Sequence, residues 1–144
     1  MKRLSKLAIA LLLALPAAPI AAQAPAPVTT ITRVTLYRVL PGQGQAMAKD
    51  IKEHFIPLEE EYRTAGLIVG YGTFTNTTKK DENDWTVGTT VTYANWGALD
   101  GLGSKINPIT LKHYGTAEKR TAAGDARNAI RVVVSANWLG AYNP

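Results

Sequence analysis

The chain has 144 residues and a formal net charge of +5, from 16 Lys and Arg against 11 Asp and Glu. It contains no cysteine, which excludes disulfides, thiolate metal sites and cysteine nucleophiles. The length suits one domain, and the positive charge comes with no basic stripe or nucleic-acid motif, so DNA and RNA are excluded as partners.

Lys2, Arg3 and Lys6 precede the apolar run Leu7 to Leu15 and a small-residue stretch that reaches Ala22. A basic start, a short apolar core and an Ala-rich end describe a secretory signal peptide, and the run is short for a membrane span. The expected division is a signal peptide over 1–22, an extended Pro/Ala-rich tether over 23–29 and a single domain over 30–144. Cleavage near Ala22 makes the protein periplasmic or secreted, with no stable membrane insertion afterwards. Removing the three leader cations leaves 13 basic against 11 acidic residues, so the mature chain is close to neutral.

From Thr30 to Leu40 the two alternating sets, Val34, Leu36 and Leu40 against Thr35, Tyr37 and Val39, are both β-branched, aromatic or aliphatic. That pattern predicts a strand covered on both faces, ended by Pro41 and Gly42. The period then becomes helical. Met47, Ile51, Phe55, Leu58 and Tyr62 recur at spacings of three and four, within an arc of about 80°. Lys49, Lys52, Glu53, Glu59 and Glu60 are expected to point elsewhere. Pro57 removes a backbone donor and predicts a kink between Glu53 and Pro57, while Gly66 supplies the left-handed stop.

Leu67 to Phe74 alternates as a strand, the polar segment Asn76 to Asp84 forms a long hairpin loop, and Trp85 to Tyr93 returns as a third strand. Asn95 caps a helix that begins at Trp96. The pattern continues to Ala123 as a broken helical segment, with interruptions at Gly101, Gly103, Pro108 and Gly115 and an end at Gly124 and Asp125. Ala129 to Leu139 reads as a last strand, with Ile130, Val132, Val134, Ala136 and Trp138 on one face.

The order strand, helix, strand, strand, helix, strand specifies an α+β, ferredoxin-like βαββαβ fold with a four-stranded antiparallel sheet and both helical segments on one face. The strand ending LYRVLPG, the helix AMAKDIKEHFIPLEEEYRTAG, and YGTF leading into WTVGTTVTYANW resemble the dimeric α+β barrel superfamily. That superfamily includes the antibiotic-biosynthesis monooxygenase-like and NIPSNAP-like domains. The resemblance implies a homodimer in which two sheets face each other, a pocket between sheet and helices, and cofactor-independent oxygenase chemistry on an aromatic substrate.

Gly42-Gln43-Gly44 opens a helix as a dinucleotide fingerprint does, but Met47 occupies the place of the third glycine, so the segment reads as a turn. His54 lies about 60° from the centre of the helical stripe, where it either projects toward a pocket or pairs with Asp50 one turn earlier. His113, in LKHYG within the broken helical region, is the preferred proton-transfer candidate. Tyr37, Tyr71 and Tyr93 share the odd-numbered faces of three strands, where with Trp85 nearby they form a surface for a flat apolar ligand. Two histidines without cysteine predict no metal site. No cofactor is expected, with haem as the alternative: some haem-degrading members of the superfamily use a tryptophan and a second-helix histidine, which Trp96 and His113 match in type and order. Taken together, the sequence reads as an exported homodimer that binds a small apolar or aromatic molecule. The alternatives are a non-catalytic dimerisation or interaction module and a haem-binding protein.

Overall fold

The structure, a computed structural model, describes residues 29–140; the expected signal peptide over 1–22 and nearly all of the expected tether over 23–29 lie outside the described residues. The strands are β1 (Ile31–Val39), β2 (Gly70–Thr75), β3 (Val87–Tyr93) and β4 (Arg131–Gly140). They form one sheet in the order β2-β3-β1-β4, with every neighbouring pair antiparallel. This is the ferredoxin-like arrangement that the element order specifies, and among the described residues no helix is long and apolar enough to cross a membrane.

The first helical unit consists of α1 (Gly44–Asp50), a π turn (Ile51–Phe55) and α2 (Ile56–Thr64). In the π turn the Ile56 N–H reaches the carbonyl of Ile51, five residues back. Pro57 follows at once and has no N–H for the carbonyl of Glu53, so the expected irregularity takes the form of one wide turn. The far end closes as a Schellman motif. The Leu67 N–H donates to Tyr62 O at 2.9 Å and the Gly66 N–H to Arg63 O at 3.0 Å, with Gly66 at φ +71°, a conformation that favours glycine.

The second helical region differs from the sequence reading. Asn95 does cap the segment at Trp96, its Oδ1 accepting from Ala98 N at 3.0 Å, but the capped element is a single 3₁₀ turn, Trp96–Leu99. Two full helices follow, α3 (Leu102–Tyr114) and α4 (Ala117–Ile130). Gly101 and Gly115, at φ +64° and +82°, bound α3, and the Thr116 hydroxyl caps α4 by accepting from Lys119 N at 3.2 Å. Gly103 and Pro108 are absorbed inside α3, and Gly124 and Asp125 inside α4. Tertiary packing overrides the local preferences of these residues.

On the sheet, the odd positions of β1 and β3 face the helices, and Ile31, Leu58, Tyr62, Ile68, Tyr93 and Tyr114 form the core between them. Met47, 1% exposed, fills the space beneath α1. The register of β4 skips a residue at Val134, because Leu36 pairs with Ser135 and Tyr37 with Val133. This bulge reverses the phase along the strand. Ala136 and Trp138 therefore share the helix side with their partners Thr35 and Arg33, whereas Val132, opposite Arg38, faces the other way. The single apolar face expected for β4 is split between the two sides of the sheet.

Among the described residues no helix covers the even face of the sheet, which carries Val34, Leu36 and Phe74. There Phe74 pairs with Gly88 across β2 and β3, and a Cβ at Gly88 would overlap the Phe74 ring. Phe74 is held edge-on by Trp85, with centroids 5.4 Å apart, so the ring cannot swing away freely. Gly88→Ala is expected to cost about 1–3 kcal/mol in urea denaturation. In a Phe74→Leu background that cost should shrink; an equal cost in both backgrounds would show that the ring is not the obstacle.

Candidate functional site

A cavity of about 610 Å³ lies between the odd face of the sheet and the helices, within the size range of small-molecule sites. Tyr37, Thr35 and Arg33 reach it from β1, and Tyr93, Val91 and Thr89 from β3. The first helical unit contributes Asp50, His54, Phe55, Glu59 and Tyr62, and the C-terminal half adds Tyr114, Arg127 and Arg131. Aromatic rings share its wall with charged and polar side chains, among them Arg33, Arg120, Arg127 and Arg131.

Asp50 anchors one polar point of the wall. Its Oδ1 lies 3.2 Å from Arg127 Nε and its Oδ2 lies 3.8 Å from Arg131 Nη1. Arg127 Nε has no aligned hydrogen bond, so the contact with Asp50 acts as an ion pair. A second nitrogen of Arg127 donates to the Tyr114 hydroxyl at 2.5 Å. The Arg131 guanidinium stacks over the Tyr37 ring, 4.1 Å from its centroid, a cation–π contact. Two guanidiniums share one carboxylate, which leaves this end of the cavity cationic. Burial raises the Tyr114 hydroxyl above its ordinary pKa of 10.0, opposed by Arg127.

Glu59 forms the second point. One carboxyl oxygen, Oε2, is withdrawn from solvent and has no hydrogen-bond partner. Burial pushes its pKa up from 4.5 to about 7, because an ionised carboxylate loses hydration there without gaining a counter-ion. The neighbouring Tyr62 hydroxyl is already committed: it lies 2.6 Å from Thr110 Oγ1, which in turn donates to the Ile106 carbonyl at 2.9 Å.

The candidate residues from the sequence are distributed unevenly. Tyr37, Tyr93 and His54 line the cavity. His54 does not pair with Asp50; its Nδ1 lies 3.0 Å from His113 Nε2. His113 stands behind it outside the lining, its pKa lowered below 6.5 by burial and then by the charge of His54. Tyr71 is on the expected face, but its hydroxyl donates to Glu60 Oε2 at 3.1 Å and its ring meets the edge of Phe55, so it lies outside the lining. Trp96 is 59% exposed and packs on Trp138 with centroids 5.6 Å apart, also outside the lining. The His113 Nε2 that a haem iron would need is engaged by His54 in this arrangement. Among the described residues no three His, Asp or Glu side chains gather as a metal site.

Glu59, Asp50, Arg127 and Arg131 are the residues that sequence reasoning did not place at the site. For Glu59 a signal existed: it follows Phe55 by four and precedes Tyr62 by three, which is stripe spacing on a helix.

No family model and no curated protein sequence matches the chain. Among solved structures, HapK from Hahella chejuensis aligns with a TM-score of 0.53 at 9% identity, covering 79% of this chain and 94% of that one. A dimeric ferredoxin-like protein of unknown function from Jannaschia sp. CCS1 aligns at 0.45 and 11% identity, covering 79% and 99%. A dimeric protein of unknown function and ferredoxin-like fold from Bacteroides fragilis aligns at 0.43 and 12%, covering 78% and 94%. At such identities the likeness to HapK is one of fold.

The Glu59 environment has a consequence for stability. Below pH 4.5 the carboxyl is protonated both folded and unfolded; between 4.5 and about 7 the folded chain keeps a proton that the unfolded chain has released. The stabilising contribution is therefore greatest in acid and is lost as pH rises through that window. Relative to Glu59→Gln, the wild type should lose up to about 3 kcal/mol between pH 4.5 and 8. Paired urea denaturation curves measure this, and a flat difference across the window would contradict the buried, unpaired assignment.

Proposed function

We propose that the chain is an exported homodimer of the dimeric α+β barrel superfamily, of the antibiotic-biosynthesis monooxygenase-like or NIPSNAP-like kind, which binds a small planar apolar or aromatic molecule without a cofactor. The observation that carries the reading is the cavity walled by Tyr37 and Tyr93 beside a cationic edge. Rings present flat apolar surface at low entropic cost, and the guanidiniums favour a ligand with negative or electron-rich character at one end. Its catalytic form is a cofactor-independent oxygenase on an aromatic substrate, as the sequence resemblance implies.

The homodimer is supported by the uncovered even face of the sheet. Val34, Leu36 and Phe74 sit there with Leu139, which is opposite Thr32 and 54% exposed. A face of this kind is normally buried against another layer, and a second copy offers the same face in return. Export is supported by the amino-terminal pattern of basic, apolar and small residues.

Native mass spectrometry of the protein isolated from its own host should give the mass of two chains that each begin near Gln23. A monomer, or a chain that retains its first 22 residues, would contradict the corresponding part of the proposal. Ligand binding is tested with anilinonaphthalene sulfonate, an aromatic anion with a flat naphthalene face whose fluorescence rises in apolar sites. Saturable binding is expected, weakened about tenfold, or ~1.4 kcal/mol, by Tyr37→Leu and abolished by Thr35→Trp, which fills the cavity. Binding that neither variant alters would place the dye elsewhere and remove the cavity reading.

A further inference from the structure

We infer that the Glu59 carboxylate is a general base that takes a proton from a C–H or O–H group of a planar, weakly acidic ligand held in this cavity. The inference rests on the cavity being a ligand site, and it names both the acting group and the class of substrate.

The acidic side chains nearby have other engagements. Asp50 faces Arg127 and Arg131, Glu60 is bonded to Arg63 and Tyr71, and Glu61 lies 3.9 Å from Lys112. Glu59 lines the cavity with Oε2 unpartnered. The groups that face it are the phenols of Tyr62 on its own helix, Tyr93 on β3 and Tyr71 on β2, with Arg33 beside Tyr93. Tyr62 and Tyr71 have their hydroxyls directed at Thr110 and Glu60. No described neighbour donates to the Glu59 carboxylate; Oε2 is turned away from solvent, while the residue itself lines the cavity, where a ligand can approach the carboxylate. A glutamate kept there only for packing would be poorly chosen, since an apolar residue of similar volume fills such a site without stranding a buried oxygen.

The step is balanced within the site. A lone pair on the Glu59 carboxylate forms the new O–H bond while the ligand C–H or O–H bond breaks. The released electron pair stays on the ligand as a delocalised carbanion, enolate or phenolate, and the negative charge moves from Glu59 to the ligand. Arg127 and Arg131 line the same cavity and attract that charge. The proton returns from Glu59 to the same or another atom of the conjugated system, so no oxidant, metal or cofactor is needed. A carboxyl that titrates at about 7 is present in both forms at neutral pH and can accept and return a proton.

The probe is 5-nitrobenzisoxazole, a planar aromatic carbon acid. Removal of its ring C–H proton turns that electron pair into the third bond of a nitrile, breaks the N–O bond and releases a coloured phenolate. Wild-type protein should turn it over saturably and faster than acetate at equal carboxylate concentration, with a rate that rises through a midpoint near pH 7. Glu59→Gln should lose about a hundredfold or more, and Glu59→Asp should retain part of the rate, with thermal melts confirming that both are folded. Wild-type turnover no faster than acetate, or turnover that survives Glu59→Gln, overturns the proposal. Dye binding by the wild type separates the two ideas: if the dye binds and turnover is absent, the base is refuted and the cavity reading stands, whereas loss of both removes the two together.

Discussion

The missing N–H of Pro57 is the constraint on which the site depends. An α-helix running through Glu53 to Pro57 would leave the Glu53 carbonyl without its donor, and the chain responds with the wide turn in which Ile56 N–H reaches Ile51 O. A π turn takes up an extra residue, so the positions on its two sides no longer share one continuous stripe. Asp50 and His54 upstream and Glu59 downstream all come to line the cavity. Three polar side chains would not be gathered on the buried side of an uninterrupted amphipathic helix, because their desolvation would go uncompensated.

The charges are arranged to match. Asp50, at the end of α1, draws Arg127 from α4 and Arg131 from β4 to one point, so the ion pairs join three elements that are far apart in sequence. Arg131 also covers Tyr37 and approaches the sulfur of Met47 at 3.8 Å, which connects the cationic edge to the packing beneath α1. Glu59 lies in the same cavity yet is bonded to neither guanidinium. The site therefore keeps a cationic edge and a carboxyl without a counter-ion apart. Direct pairing between them would drive the Glu59 pKa down and end its capacity to hold a proton near neutrality.

The first half of the fold was legible because its punctuation is local. Strand alternation in β1, the irregularity before Pro57 and the left-handed stop at Gly66 each follow from a few neighbouring residues, and the structure realises all three. The second half was legible only in outline. Gly124 and Pro108 carry strong helix-breaking preferences, yet both lie inside helices whose packing against the sheet and α2 outweighs them. The bulge at Val134 leaves no mark in the pattern of β4, since valines on both sides of it satisfy either phase. Glu59 was hidden for a related reason: its spacing fits the stripe, but a carboxylate on a helix is read as solvent-facing unless its surroundings are known.

The histidines show how a plausible residue type can mislead. His113 is placed on a helix close to the cavity, and its neutral form is favoured by burial and by His54. Its Nε2 is nonetheless used to hold His54, and the two rings meet edge to face with centroids 5.3 Å apart. Tyr114 packs against both, at 5.1 and 4.8 Å, so the trio locks α3 to the π turn. A mutual hydrogen bond satisfies one nitrogen on each ring. The pair thus fixes the orientation of the helical wall. Among the described cavity-lining side chains, Glu59 Oε2 and Arg127 Nε are withdrawn from solvent without an aligned hydrogen bond, and of the two groups only Arg127 has an ion pair, so the Glu59 carboxyl is the one whose desolvation the fold leaves uncompensated.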